Sequence, residues 1–286
     1  MKLLLIILAL ISFSGCAKKE TADIFAMDTI ITLSVYGKNS KTAISEMENE
    51  IERLDLKFSP LEDFSEDEET KSLINTADEI SVLTDGAFDI RLSAVSELWG
   101  FYNKEYQIPD EKEIKTALEK KVYDFGGIAK GYAGDRLYEI CKKNGIKSGI
   151  LSLGGNVVAI GENPNGKVWK VAIANPKKPS EFIGYVEVID KAVVTSGDYQ
   201  RYFEKDGKRY HHILNPKTGY PADSGLSSVT VISDSGILAD SLSTAFFVSG
   251  KDLVFKLYDE LDFEAVLVTA NGEIITTDNI IFHRKD

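Results

Sequence analysis

The sequence predicts an α+β fold: one domain over residues 24–286, with mixed and antiparallel sheets and packed helices. Three observations carry this expectation. Segments rich in Ile, Val, Thr and Tyr alternate irregularly with segments whose apolar residues recur at helical spacing. No period repeats along the chain, and no Pro-rich linker marks an internal boundary. Hydrophobic residues make up 43% and charged residues 27% of the 286, enough to bury a core and too apolar for disorder. Lys plus Arg total 33 against 45 Asp plus Glu, a net charge of −12. So acidic a chain argues against duplex nucleic acid, whose phosphates need a basic face, and against electrostatic adhesion to anionic lipid. Its 2 cysteines, Cys16 and Cys141, exclude a disulfide-stapled fold and a cysteine-rich metal cluster.

Residues 1–15 read as a signal peptide: Lys2 supplies the charged start, Leu3 to Ile11 is an unbroken apolar run too short for a permanent span, and small residues lead into Cys16. Phe13-Ser-Gly-Cys16 resembles the lipobox of bacterial lipoproteins, with Phe in place of the usual Leu. That resemblance implies an acylated Cys16, a lipidated polar tether over 16–23, and a location on the outer, periplasmic side of the bacterial cell membrane. The competing reading is a plain signal peptide with an incidental cysteine.

Residues 24–36 read as a strand. Asn39 and Ser40 offer a cap for a helix in which Ile44, Met47, Ile51 and Leu54 recur at helical spacing. The charge run at 59–70 reads as a solvated loop. A helix follows over Ser72–Thr84, and Pro109-Asp110 opens another that runs to about Lys121. Asp124-Phe-Gly-Gly127 precedes a helix through Asn144, which Gly145 ends. On that helix Cys141 lies beside Leu137 and Ile140, as a buried structural thiol would. Residues 147–160 read as two strands around a tight Gly-Gly turn, and 168–174, 183–189 and 226–232 as further strands. Ala192–Val194 reads as a strand ending in the polar turn Thr195–Asp198. Helices are expected from about Ser235 to Val248 and Lys251 to Leu261, then a hairpin over 264–277 around Asn271-Gly272.

Several clusters could carry chemistry. In Asp124-Phe-Gly-Gly-Ile-Ala-Lys130 two glycines permit close backbone approach at a helix start, where free N–H groups suit a phosphate, and Lys130 adds a cation. The alternative is a turn that merely needs glycine. Asp240 and Thr244, at i and i+4, share one helix face and offer hard oxygen donors of the kind Mg²⁺ accepts; an ordinary polar face is the plainer reading. His211 and His212 on an extended segment point opposite ways, so they are no chelating pair, and one could serve as a general base. Phe88 beside Asp89 could contact a heterocycle or belong to the core.

The order of these pieces resembles the ApbE family of flavin transferases. Phe25-Ala-Met-Asp-Thr29 matches its early Met-Gly-Thr with Asp28 in place of Gly. GAFDI at 86–90 and LWGF at 98–101, DFGGIAKGYA at 124–133, SLGGN at 152–156, TSGDYQRYF at 195–203, HHILNPKTGYP at 211–221 (Asn215 where the family has Asp) and ADSLSTA at 239–245 follow in family order. The resemblance implies that FAD is the substrate and Mg²⁺ the metal, held by Asp240, Thr244 and the backbone of Gly127. It implies FAD contacts at Met27, Ala87, Phe88, Asp89, Asp124, Lys130 and Ile213, and a functional histidine at His212. The implied reaction attaches FMN through a phosphoester to a Thr or Ser of an acceptor protein, a membrane redox subunit by family expectation, and releases AMP. Hydrolysis of FAD to FMN and AMP, or flavin binding without catalysis, are the alternatives.

Overall fold

The computed structural model describes residues 18–58 and 67–285; the expected signal peptide, Cys16 and residues 59–66 of the charge run lie outside the described residues. Strands β1 (Lys19–Ala26) and β2 (Thr29–Tyr36) form an antiparallel hairpin, in register from Lys19 opposite Tyr36 to Ala26 opposite Thr29. The single strand expected over 24–36 is therefore two. Its turn is made by Met27 and Asp28, both left-handed at φ 51° and 57°, as a two-residue hairpin turn of the primed type requires. Neither residue is glycine, so no turn signal stands in the sequence. β1 also begins inside the segment read as a tether.

Helix α1 (Ser40–Lys57) buries Ala43, Ile44, Met47, Ile51 and Leu54 along one stripe. Helix α2 (Glu68–Leu83) starts earlier than expected: the Asp67 side chain accepts the Thr70 N–H at 2.8 Å, and Glu68 and Glu69 favour the positive helix end. A short helix α3 (Ser93–Leu98), not expected, follows. In α4 (Glu111–Lys120) Asp110 and Glu113 form a reciprocal capping box. Next come α5 (Ala129–Lys143), then β3 (Ser148–Leu153) and β4 (Asn156–Gly161), joined through Gly154 and Gly155 at φ 61° and 103°. Strands β5 (Trp169–Asn175), β6 (Lys178–Val188) and β7 (Ala192–Gly197) precede a small hairpin, β8 (Tyr202–Lys205) and β9 (Lys208–His211). The chain closes with β10 (Leu226–Ser233), α6 (Gly236–Ser249), α7 (Lys251–Tyr258), β11 (Glu264–Thr269), β12 (Ile274–Thr276) and β13 (Phe282–Arg284).

The main sheet has eight strands in the order β1-β2-β3-β4-β7-β10-β11-β12, and every pairing in it is antiparallel. Under β2, β3 and β4, helices α1 and α5 close a core of Leu33, Val35, Met47, Leu137, Leu151 and their neighbours. Under β7, β10 and β11, helices α2, α6 and α7 close a second core around Phe246, Phe247, Val229 and Leu267. The far face of the same strands is covered by the three-stranded sheet β13-β6-β5. Both faces of β10 are thus covered, and all eight of its residues are buried. Helices α3 and α4 and the β8–β9 hairpin form an annex round the buried Trp99, whose ring lies 5.7 Å from Tyr210. Among the described residues no helix is long and apolar enough to cross a membrane.

Candidate active site

A cleft of about 800 Å³ opens where the two helical cores, the β1–β2 turn and the base of the β8–β9 hairpin meet. Met27, Phe88, Asp89, Asp124, Gly127, Lys130, His212, Ile213, Asp240 and Thr244 all line it. Ala87 does not; it is 5% exposed and packs in the core behind Phe88. A separate hollow of about 320 Å³, between the β5–β6 turn and β12, contains none of these residues.

One corner is built from two helices in backbone contact. A Cβ on Gly131 of α5 would lie 2.2 Å from the Gly236 carbonyl oxygen of α6, so only glycine permits this crossing. The close approach brings the Gly131 N–H to 2.8 Å from Asp240 Oδ2. One turn further along α6, Thr244 Oγ1 lies 3.3 Å from Ser196 Oγ, and a Cβ on Gly127 would lie 3.6 Å from it. A carboxylate, a hydroxyl and a glycine backbone therefore converge. These are hard oxygen donors, and among the described residues no three His, Cys, Asp or Glu side chains are placed to share an ion. So sparse a set fits Mg²⁺, which keeps several waters and binds through one or two carboxylates plus substrate phosphates.

The glycine-rich turn is held from within. Asp124 Oδ1 accepts the Gly126 N–H at 2.8 Å, and Oδ2 accepts the Tyr102 hydroxyl at 2.6 Å. Burial and the neighbouring Asp124 charge push the Tyr102 hydroxyl well above its ordinary value, so it stays a donor. Lys130 Nζ donates to the Gly126 carbonyl at 3.2 Å, curling its charge over the turn. Asp89 Oδ1 accepts from the Arg91 N–H at 2.9 Å and from its guanidinium at 3.2 Å. On the opposite side the Met27 N–H donates to Asp55 Oδ1 at 2.7 Å, tying the turn to the end of α1.

The two histidines part as alternation demands. His212 faces the cleft, and both its backbone N–H and Nδ1 lie within reach of the Arg201 carbonyl, at 3.0 and 3.2 Å. A carbonyl only accepts, so Nδ1 carries the hydrogen and Nε2 is left with a lone pair. Burial, with Arg201 as the next contributor, lowers the His212 pKa to about 3, so the ring is neutral at neutral pH. His211 is buried against the Phe247 ring, donates Nε2–H to the Ala222 carbonyl at 3.0 Å, and is also held neutral by burial.

Sequence reasoning did not single out Asp55, Tyr102, Ser196, Tyr199 or Arg201, all of which line the cleft. Three of them stand within the Thr195–Phe203 segment already matched to the family, so position within a motif was the available signal.

The ApbE family model matches residues 27–267. An FAD:protein FMN transferase of Klebsiella pneumoniae is 34% identical over 226 residues, 71% of this chain and 70% of that protein. The crystal structure of the ApbE protein of Thermotoga maritima superposes with a TM-score of 0.82 at 34% identity, covering 91% of this chain and 97% of that one. The apo flavinyl transferase ApbE of Pseudomonas stutzeri gives 0.77 at 29% identity, covering 91% and 94%.

Proposed function

The chain belongs to the ApbE family, and from that premise we propose how its cleft acts: the protein is an FAD:protein FMN transferase. An acceptor hydroxyl attacks the FMN-side phosphorus of FAD, the bond to the bridging oxygen breaks, and AMP leaves. The observation that carries this reading is the convergence of Asp240, Thr244, the Gly126-Gly127 turn and His212 on one cleft large enough for a dinucleotide.

Each residue then has a physical task. Asp240, Thr244 and the Gly127 backbone would hold Mg²⁺, which supplies charge neutralisation of the pyrophosphate. Gly126 and Gly127, at the mouth of α5, carry no side chain that would hold phosphate oxygens away from the turn, and Lys130 adds a positive charge beside them. Phe88 and Phe125, almost wholly buried in the adjoining core, give the cleft an apolar wall against which the flavin or adenine ring can lie. His212 presents the bare Nε2 that can take the acceptor's hydroxyl proton. In the empty cleft its base strength is low; the negative charge of a bound pyrophosphate favours the protonated ring and so strengthens the base when substrate is in place. Positioning and electrostatics carry the remainder of the rate, as in other phosphoryl transfers.

The acceptor is a Thr or Ser of a protein exposed on the same side of the membrane, such as a membrane redox subunit. The apolar run ending in Phe13-Ser-Gly-Cys16 supports a lipid anchor on Cys16 that holds the domain at the outer face of the membrane. Incubating the mature protein with FAD, Mg²⁺ and an acceptor protein tests the reading. Fluorescent flavin retained on the denatured acceptor, and lost in EDTA, supports it. Free FMN with an unlabelled acceptor would make water the acceptor instead. For the anchor, Cys16→Ser should release the domain from the membrane fraction; full retention with normal processing rejects it.

A further inference from the structure

The charge around the cleft poses a problem for its substrate. Five aspartates line it against two cations, Lys130 and Arg201. A pyrophosphate carries two negative charges into that surrounding and needs every cation the cleft can aim at it. Lys130 already lies over the glycine-rich turn. Arg201 lies across the cleft, its guanidinium 3.8 Å from the Asp28 carboxylate.

Asp28 is an unusual residue for its place. It occupies the second position of the β1–β2 turn at φ 57°, where glycine is the unstrained choice, and it stands where the family pattern has Gly. Its side chain is 81% exposed, so the pairing with Arg201 is a surface contact and not part of the packed core. Arg201 in turn touches the chemistry through its backbone, since its carbonyl accepts both hydrogens that orient His212.

We propose that Arg201 is the cation on this wall of the cleft that binds the FAD pyrophosphate, and that Asp28 is its counter-ion in the empty protein, displaced when FAD enters. Asp28 then competes intramolecularly with the substrate for one guanidinium and lowers FAD affinity. Arg suits the task because its planar fork matches phosphate oxygens as well as carboxylate. The inference rests on FAD being the ligand of this cleft.

The test compares FAD with riboflavin, which has the same ring system and no phosphate, by flavin fluorescence in EDTA so that no turnover occurs. Arg201→Gln should weaken FAD about 10- to 100-fold, the range for a lost charge-assisted hydrogen bond. It should leave riboflavin unchanged, and Arg201→Lys should stay within a few-fold of wild type. Asp28→Asn keeps the left-handed turn and removes the charge, so it should tighten FAD a few-fold. In the double variant Asp28→Asn/Arg201→Gln that gain should vanish. Equal FAD affinity in Arg201→Gln and wild type overturns the proposal. So does a parallel loss of riboflavin, because Arg201 would then shape the cleft without meeting phosphate. Failure of the wild type itself to bind FAD would instead reject the reading of the cleft as an FAD site.

Discussion

The two walls of the cleft are built on opposite plans. On one, α5 and α6 cross with no side chain between them, and Asp240 is fixed by a backbone N–H of the neighbouring helix at 4% exposure. On the other, two hairpin ends meet: the Met27-Asp28 turn and the Arg201–His212 base of β8–β9, held by backbone bonds and one exposed ion pair. The contrast teaches where precision comes from. The corner proposed for a small cation is set by packing that tolerates no extra atom. The wall proposed to meet a flexible dinucleotide and a protein acceptor is set by a few polar contacts between loops, where function is customarily carried.

The largest effect should follow from disturbing the packed wall. Gly131→Ala places a Cβ against the Gly236 carbonyl with no room to yield, and the helices must separate. A loss of about 3 kcal/mol or more, read as a fall in Tm of roughly 10 °C, should accompany loss of transferase activity. A Tm within a degree or two of wild type would show that the crossing gives way cheaply and that the two walls are alike. Asp240→Asn is a subtler version: its amide oxygen can still accept the Gly131 N–H, so the fold should hold while Mg²⁺-dependent turnover disappears. Full activity of that variant at limiting Mg²⁺ would remove Asp240 from the metal site.

On the open wall the expected effects are kinetic. His212→Ala should lower single-turnover FMN transfer about 10²–10⁴-fold, the range for general-base assistance, with FAD still bound. His211→Ala should leave the chemistry nearly intact but cost about 1–3 kcal/mol of stability, because it strips the Ala222 carbonyl of its donor and opens a hole against Phe247. Transfer kinetics and thermal melts on both variants separate the roles. A greater kinetic loss from His211→Ala would reverse the assignment of faces.

How much of this the chain disclosed depended on what kind of signal each part needed. The longer helices announced themselves: α1 by Ile44, Met47, Ile51 and Leu54, α4 by Pro109-Asp110, α5 by the glycines before it and Gly145 after it. Hairpins did so only when glycine made the turn. Gly154-Gly155 was legible, whereas Met27-Asp28 was not, because two non-glycine residues adopt left-handed backbone there under the constraint of the surrounding pairing. Asp206-Gly207 is a turn signal to which the sequence reading assigned no hairpin, and the six-residue α3 is too short for periodicity to show. Asp240 and Thr244 could be picked out by motif, but the physical cause of their placement, the glycine crossing of residues 131 and 236, joins segments about a hundred positions apart. Arg201 was invisible as a cleft residue for a similar reason: its partners Asp28 and His212 become neighbours only once the two hairpins meet.

The smallest expected effect concerns pH, and it too separates the walls. Burial depresses the pKa values of both His211 and His212 in the folded protein, His212 to about 3, below the ordinary value of 6.5 that the unfolded chain restores. Below 6.5 the unfolded state therefore binds more protons than the native state, so stability is complete above 6.5 and falls as the pH drops toward the folded value. The slope for His212 cannot exceed about 1.4 kcal/mol per pH unit. Two carboxyls oppose it: burial raises Asp135, which caps α6, and Asp198, so each adds stability below its unfolded value that is lost as pH rises through its raised one. The ion-paired Asp67 and Glu69 act in the same direction as the histidines but at lower pH, since their pKa values lie below those of ordinary carboxylates. The histidine contribution should therefore be cleanest between about pH 5 and 6.5. Denaturant midpoints across that window should fall with pH in the wild type, and His212→Gln should remove part of the slope. Asp240→Asn, on the packed wall, should leave it untouched. A slope identical in His212→Gln and wild type would mean that the cleft solvates the imidazole well enough to protonate it, and the open wall would then lack the neutral histidine that the proposed transfer step needs.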